Sequence, residues 1–104
     1  MRIDVHGHYF PRDYIQVATA AYARPANSVE EGVHRILQTK VGVDPKMYDI
    51  DARLEDMARA GVDLMVLSVS IPQTYHADRA TAVAMAVAAN DGTAEACRRY
   101  PDRF

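Results

Sequence analysis

The chain has little of what would mark it for several large classes of protein. Cys97 is its only cysteine, so an internal disulfide framework is excluded, and a lone thiol fits a reducing compartment. It stands beside Arg98 and Arg99, with no histidine or acid next to it to support a nucleophile. Basic side chains are not in excess: 12 Lys and Arg against 14 Asp and Glu give a net charge of -2. That excludes the positive footprint that nucleic acid or an anionic membrane surface would require. Long hydrophobic runs are lacking too. The longest, Val62 to Val69 and Ala80 to Ala89, are broken by polar residues and fall short of the roughly 20 residues of a membrane span. The opening reads as a strand rather than a charged segment followed by an apolar one, so no secretory signal is expected and the address is cytoplasmic. Internal repeats and low-complexity tracts are absent.

What is present begins at the third residue. Ile3-Asp4-Val5-His6-Gly7-His8 is a short apolar strand running into two histidines one residue apart. In extended backbone, residues i and i+2 point the same way, so His6 and His8 present both imidazoles to one side. One divalent ion can take them together, and imidazole suits transition metals. Gly7 between them adds no side chain and lets backbone approach closely. Two ligands do not complete a catalytic zinc site, which uses three protein ligands and a water. The pair nevertheless lies where an apolar run ends and a loop with Pro11 begins, the place where sites on parallel sheets and barrels gather.

At 104 residues, with 49% hydrophobic and 25% charged side chains, the chain suits one small soluble domain, 1–104. A strand over 1–6 precedes a helix over 13–23, where Tyr14, Val17, Ala18, Ala21 and Tyr22 recur at helical spacing. Arg24-Pro25 breaks it. Ser28-Val29-Glu30-Glu31 has the form of a capping box and predicts a short helix to about Thr39. After a connection containing Gly42 and Pro45, Asp49 or Asp51 caps a helix bearing Ile50, Leu54, Met57 and Ala58, and Gly61 stops it. The stretch 62–70 reads as a parallel strand covered on both faces. A loop through Pro72 and His76 leads to an alanine-rich helix from Ala77 to about Arg99, with Gly92 as a weak point and Pro101 as its end. This order implies a parallel sheet with crossover helices. Two strands are too few for so apolar a second strand. The expectation is therefore an α/β chain that forms the N-terminal part of a larger barrel, truncated before the third strand.

The residues carry a resemblance. Ile3 to Pro11 (IDVHGHYFP), Asp51 to Asp63 (DARLEDMARAGVD), Val66-Leu67-Ser68, Ala89-Asn90-Asp91 and Arg99 to Phe104 (RYPDRF) resemble the opening of the amidohydrolase-related family. Its best-known branch holds aminocarboxymuconate-semialdehyde decarboxylase and the resorcylate decarboxylases. The resemblance implies a (β/α)8 TIM barrel with one divalent metal ion, zinc or in some members manganese, for which His6 and His8 match two ligands. It implies a further histidine ligand, an aspartate and an acid/base histidine, all beyond Phe104. It also implies an arginine for the substrate carboxylate ahead of Arg53. None lies between Arg35 and Arg53, where Lys40 and Lys46 offer only point charges.

Other residues take expected roles from their places. Asp4 shares the strand face of the histidines and is a candidate to orient an imidazole. Tyr9, Phe10 and Pro11 are candidate pocket walls, and His76, on the loop after the second strand, is a candidate substrate contact. Ser68 and Ser70 end that strand and offer hydroxyls to a ligand. Arg53 with Asp56 reads as a helix-surface charge pair. The reading is a metal-dependent hydrolase or non-oxidative decarboxylase of a small carboxylated or cyclic substrate. Its alternatives are a non-catalytic partial domain held by self-association into a homo-oligomer, and a PHP- or TatD-type phosphoesterase.

Leu64, Met65, Val66 and Leu67 follow one another. Burying such side chains is worth roughly 1.5–3 kcal/mol each, against a typical net stability of about 5–15 kcal/mol. Light scattering is expected to show self-association of the isolated chain. A monodisperse 11.6 kDa species with a cooperative thermal transition would instead mark a self-sufficient domain.

Overall fold

The computed structural model describes residues 1–22, 44–70, 74 and 77–104. The helix predicted from Ser28 to Thr39 and the loop residue His76 fall outside them. Strands β1 (Ile3–His8) and β2 (Leu64–Ser68) lie side by side and parallel. Parallel neighbours require a crossover connection. Helix α1 (Arg12–Tyr22), a single 3-10 turn (Pro45–Met47) and helix α2 (Ile50–Ala60) lie within it, and helix α3 (Arg79–Arg99) follows β2. The predicted order is present as a small α/β unit. Its described residues form a two-stranded sheet and no barrel.

The helix ends follow local chemistry. Asp49 caps α2, its Oδ1 accepting from the N–H groups of Asp51 and Ala52 at 3.0 and 3.3 Å. At the other end Gly61 takes the left-handed conformation, φ 66°, and the Val62 N–H reaches back to the Met57 carbonyl at 2.9 Å. Asp78 caps α3 through the Thr81 N–H at 3.1 Å and the Thr81 hydroxyl at 2.6 Å. The 3-10 turn was not expected from sequence. Asp44 caps it and Pro45 begins it, a proline where its missing N–H costs nothing.

The strand register is uneven. Asp4 stands opposite Met65 and Gly7 opposite Leu67, so three steps along β1 answer two along β2. The extra residue makes a bulge at Val5–His6, immediately ahead of the histidine pair. The other edge of β2 is partly met as well. The Met65 N–H donates to the Arg103 carbonyl at 2.8 Å, and Arg103 Nη2 donates to the Val62 carbonyl at 2.9 Å. Coverage of β2 on both faces, expected from its composition, does not extend to Val66, which is 50% exposed while Met65 is buried. On β1, Ile3 and Val5 are exposed too.

The main core lies between α1 and α3, where Phe10, Tyr14, Ile15 and Ala18 pack with Met85 and Ala89. Gly92 has a packing reason that its helix propensity hides. A Cβ there would overlap the Pro11 Cβ and come within 2.7 Å of its Cγ. Overpacking of that kind costs about 1–3 kcal/mol, more than the ~1 kcal/mol that alanine gains over glycine in a helix. Gly92→Ala is expected to lower stability by about 1 kcal/mol despite the better helix former. Chemical denaturation checks this, and a stabilised variant would show that α1 and α3 do not close on this contact.

Candidate metal centre

His6 and His8 end β1, and their side chains converge. The two Nε2 atoms are 3.1 Å apart, with the rings edge to face at 75°. That separation suits either a shared proton or a shared ion. It matches the edge between neighbouring ligands of an ion held at roughly 2.0–2.1 Å, the zinc–imidazole distance. The pair therefore fits a divalent ion as two of its ligands. Among the described residues no group of three or more His, Cys, Asp and Glu side chains is placed to hold a metal.

His8 is held on three sides. Opposite it on β2 is Ser68, whose Oγ lies 3.4 Å from His8 Nδ1. Engaging Nδ1 leaves Nε2 as the atom free to bind. The Tyr9 N–H donates to the Ser68 carbonyl at 2.8 Å. From α2, Arg53 Nη2 donates to the His8 carbonyl. His6 is tied through its main chain, its N–H donating to Asp4 Oδ1 at 2.9 Å. Asp4 thus serves the backbone of His6, a structural role rather than a contact to an imidazole.

Arg53 departs most from its sequence reading. It is only 7% exposed, and burial pulls its guanidinium below the ordinary value, against the opposing charges of Asp56, Asp44 and Asp4. The surface pair with Asp56 does not form. Asp56 binds Lys46 at 3.3 Å and Arg59 at 3.6 Å instead. A signal was available: Arg53 lies three residues after Ile50 and four before Met57, which puts it in the apolar stripe of its helix. Lys46 also bonds Asp44 at 3.1 Å, so both of its ion-pair partners are internal. Lys40 lies outside the described residues.

The candidate pocket residues separate. Phe10 is 0% exposed and stacked on Tyr14, with ring centroids 5.9 Å apart, so it faces the core. Pro11 is buried against Gly92. Tyr9 is half-buried and, with Arg12, Tyr48, Asp49, Asp51 and Arg99, lines a cleft of about 320 Å³. Burial, then the charge of Asp49, raises its phenol above the ordinary value. Sequence reasoning placed none of the charged residues of this cleft. Cys97 is half-buried and lines a separate groove with Leu67, Ser68 and Thr93. No described helix is long and apolar enough to cross a membrane.

No family model and no solved structure matches the chain, but characterised proteins do. A 2-amino-3-carboxymuconate-6-semialdehyde decarboxylase from Caenorhabditis elegans is 28% identical over 110 residues, covering 99% of this chain and 27% of that protein. A gamma-resorcylate decarboxylase from Rhizobium radiobacter is 43% identical over 61 residues, 57% of this chain and 19% of that protein. A second gamma-resorcylate decarboxylase, from Rhizobium sp. (strain MTP-10005), is 41% identical over the same length. The chain spans about a quarter of the first relative's length and about a fifth of the others'. These likenesses agree with the resemblance that the sequence motifs carry to the amidohydrolase-related family, and the relatives that the chain matches are decarboxylases.

Proposed function

We propose that this chain carries two ligands of a metal-dependent decarboxylase acting on a small carboxylated substrate, within a protein built on a (β/α)8 barrel. The observation that carries the proposal is the approach of His6 Nε2 to His8 Nε2, 3.1 Å, at the end of a parallel strand. His6 and His8 would hold one divalent ion, zinc or manganese. When bound, such an ion supplies fixed positive charge that orients a substrate oxygen and offsets developing negative charge. The chain's own part is to hold the imidazoles: Asp4 ties the His6 main chain, and Ser68 and Arg53 hold His8.

The relatives' names favour decarboxylation over hydrolysis, and the net charge of -2 disfavours a phosphoesterase. His76 would contact substrate from the loop after the second strand, while Phe10, enclosed in the core, contributes packing and no contact to substrate. The exposed Ile3, Val5 and Val66 support self-association. The net charge of -2 favours a small-molecule enzyme over one that binds nucleic acid or an anionic membrane, and the lone Cys97 fits a cytoplasmic address.

Calorimetric titration with zinc is expected to show one ion per chain. Replacing both histidines, His6→Ala with His8→Ala, should weaken binding at least about tenfold. Equal affinities would place the ion elsewhere. Two ligands leave the rest of a catalytic coordination shell unfilled, so the isolated chain is expected to bind zinc without releasing carbon dioxide from gamma-resorcylate. Turnover that His6→Ala abolishes would show that the chain assembles a complete site alone.

A further inference from the structure

Helix α2 buries two side chains, Met57 and Arg53. An amphipathic helix buries the first as a matter of course and the second only for a reason. A guanidinium leaves water at large cost unless carboxylates or a full set of acceptors replace the lost hydration. Arg53 receives neither at close range, the charges of Asp56, Asp44 and Asp4 reaching it only at a distance. Asp56 is engaged by Lys46 and Arg59, and Asp44 by Lys46. The Nε of Arg53 is buried and has no partner. What Arg53 does hold, through Nη2, is the main-chain carbonyl of His8.

That bond falls on a particular peptide unit. The unit joining His8 to Tyr9 has its carbonyl bound by Arg53 and its N–H bound to the Ser68 carbonyl at 2.8 Å. With both polar atoms engaged, its plane cannot rotate without breaking a bond. The backbone torsion that aims the His8 ring is thereby fixed, and Ser68 Oγ steadies the ring at Nδ1.

We propose that Arg53 is a positioning residue for the histidine pair: by clamping the His8–Tyr9 peptide it sets the Nε2–Nε2 separation that an ion requires. The proposal rests on reading His6 and His8 as ligands. It has a competing expectation of opposite sign. A buried cation repels a second one, so if Arg53 acted on the pair through its charge alone, removing it would tighten ion binding.

Zinc titration of the full chain separates these. Arg53→Met is expected to bind zinc at least about tenfold more weakly than wild type, the size typical of lost support behind a metal ligand. In the ion-free chain its His6 and His8 ring signals in nuclear magnetic resonance should shift, while the amide signals of α1 and α3 stay in place. A merely structural arginine would lower thermal stability and leave the ring signals and the affinity unmoved. Equal or tighter binding by Arg53→Met overturns the proposal. Should that variant not fold, Arg53→Lys decides, because lysine keeps the charge without the planar fork. Affinity about threefold weaker or more supports the clamp, and unchanged affinity overturns it. If wild type and the double histidine variant bind zinc equally, the ligand reading fails, which is distinct from failure of the clamp.

Discussion

Between the two histidines lies a position where a side chain would have to displace Met65. A Cβ on Gly7 would overlap the Met65 sulfur, stand 2.6 Å from Met65 Cγ and 3.2 Å from the Val66 carbonyl. Those atoms close the sheet on Gly7, and the rest of the site follows from that closeness. Gly7 pairs with Leu67 and His8 with Ser68, which puts a hydroxyl beside the His8 ring. The bulge just before this stretch takes up the mismatch between the strands, so the last residues of β1 regain register where the imidazoles must be aimed. Glycine here is a requirement of packing. Its contribution to function is made by its neighbours on either side.

Charge in the unit is arranged mostly to join elements. Lys46 connects Asp44, which caps the 3-10 turn, to Asp56 on α2. The Tyr100 hydroxyl donates to Asp51 at 2.9 Å, linking the end of α3 to the first turn of α2. These contacts are exposed or partly exposed, and individually such pairs contribute little. They do dispose of the nearby carboxylates, which leaves the buried guanidinium of Arg53 to a backbone carbonyl. The arginine that the resemblance implies for a substrate carboxylate has no counterpart in this network, because Lys46 is engaged on both sides.

Features governed by neighbours in sequence were legible in it. The caps at Asp49 and Gly61 depend on a few consecutive residues, and the ends of α2 and α3 fall within a residue or two of their expected places. The convergence of His6 and His8 follows from strand periodicity alone. Features set by distant parts of the chain were not legible. Gly92 looked like a defect until Pro11 was found against it. Phe10 looked like a pocket wall because it follows the histidines, yet α1 and α3 enclose it. Arg53 was misjudged for its residue type, although its spacing already put it on the buried stripe. The bulge left no trace in the residues of either strand, since it is a property of their pairing.

The contact between Met65 and Arg103 bears on the order in which the chain comes together. The pairing of β2 with β1 joins segments that both precede α3 in the chain. The acceptor for the Met65 N–H, in contrast, arrives only after the whole of α3 has been synthesised. Until that acceptor docks, the second edge of β2 is an open row of donors and acceptors, the kind of surface through which partly folded chains misassociate. A chain whose last residues have not yet docked holds that edge open, so the return of the segment after α3 becomes a determinant of how cleanly this sheet forms.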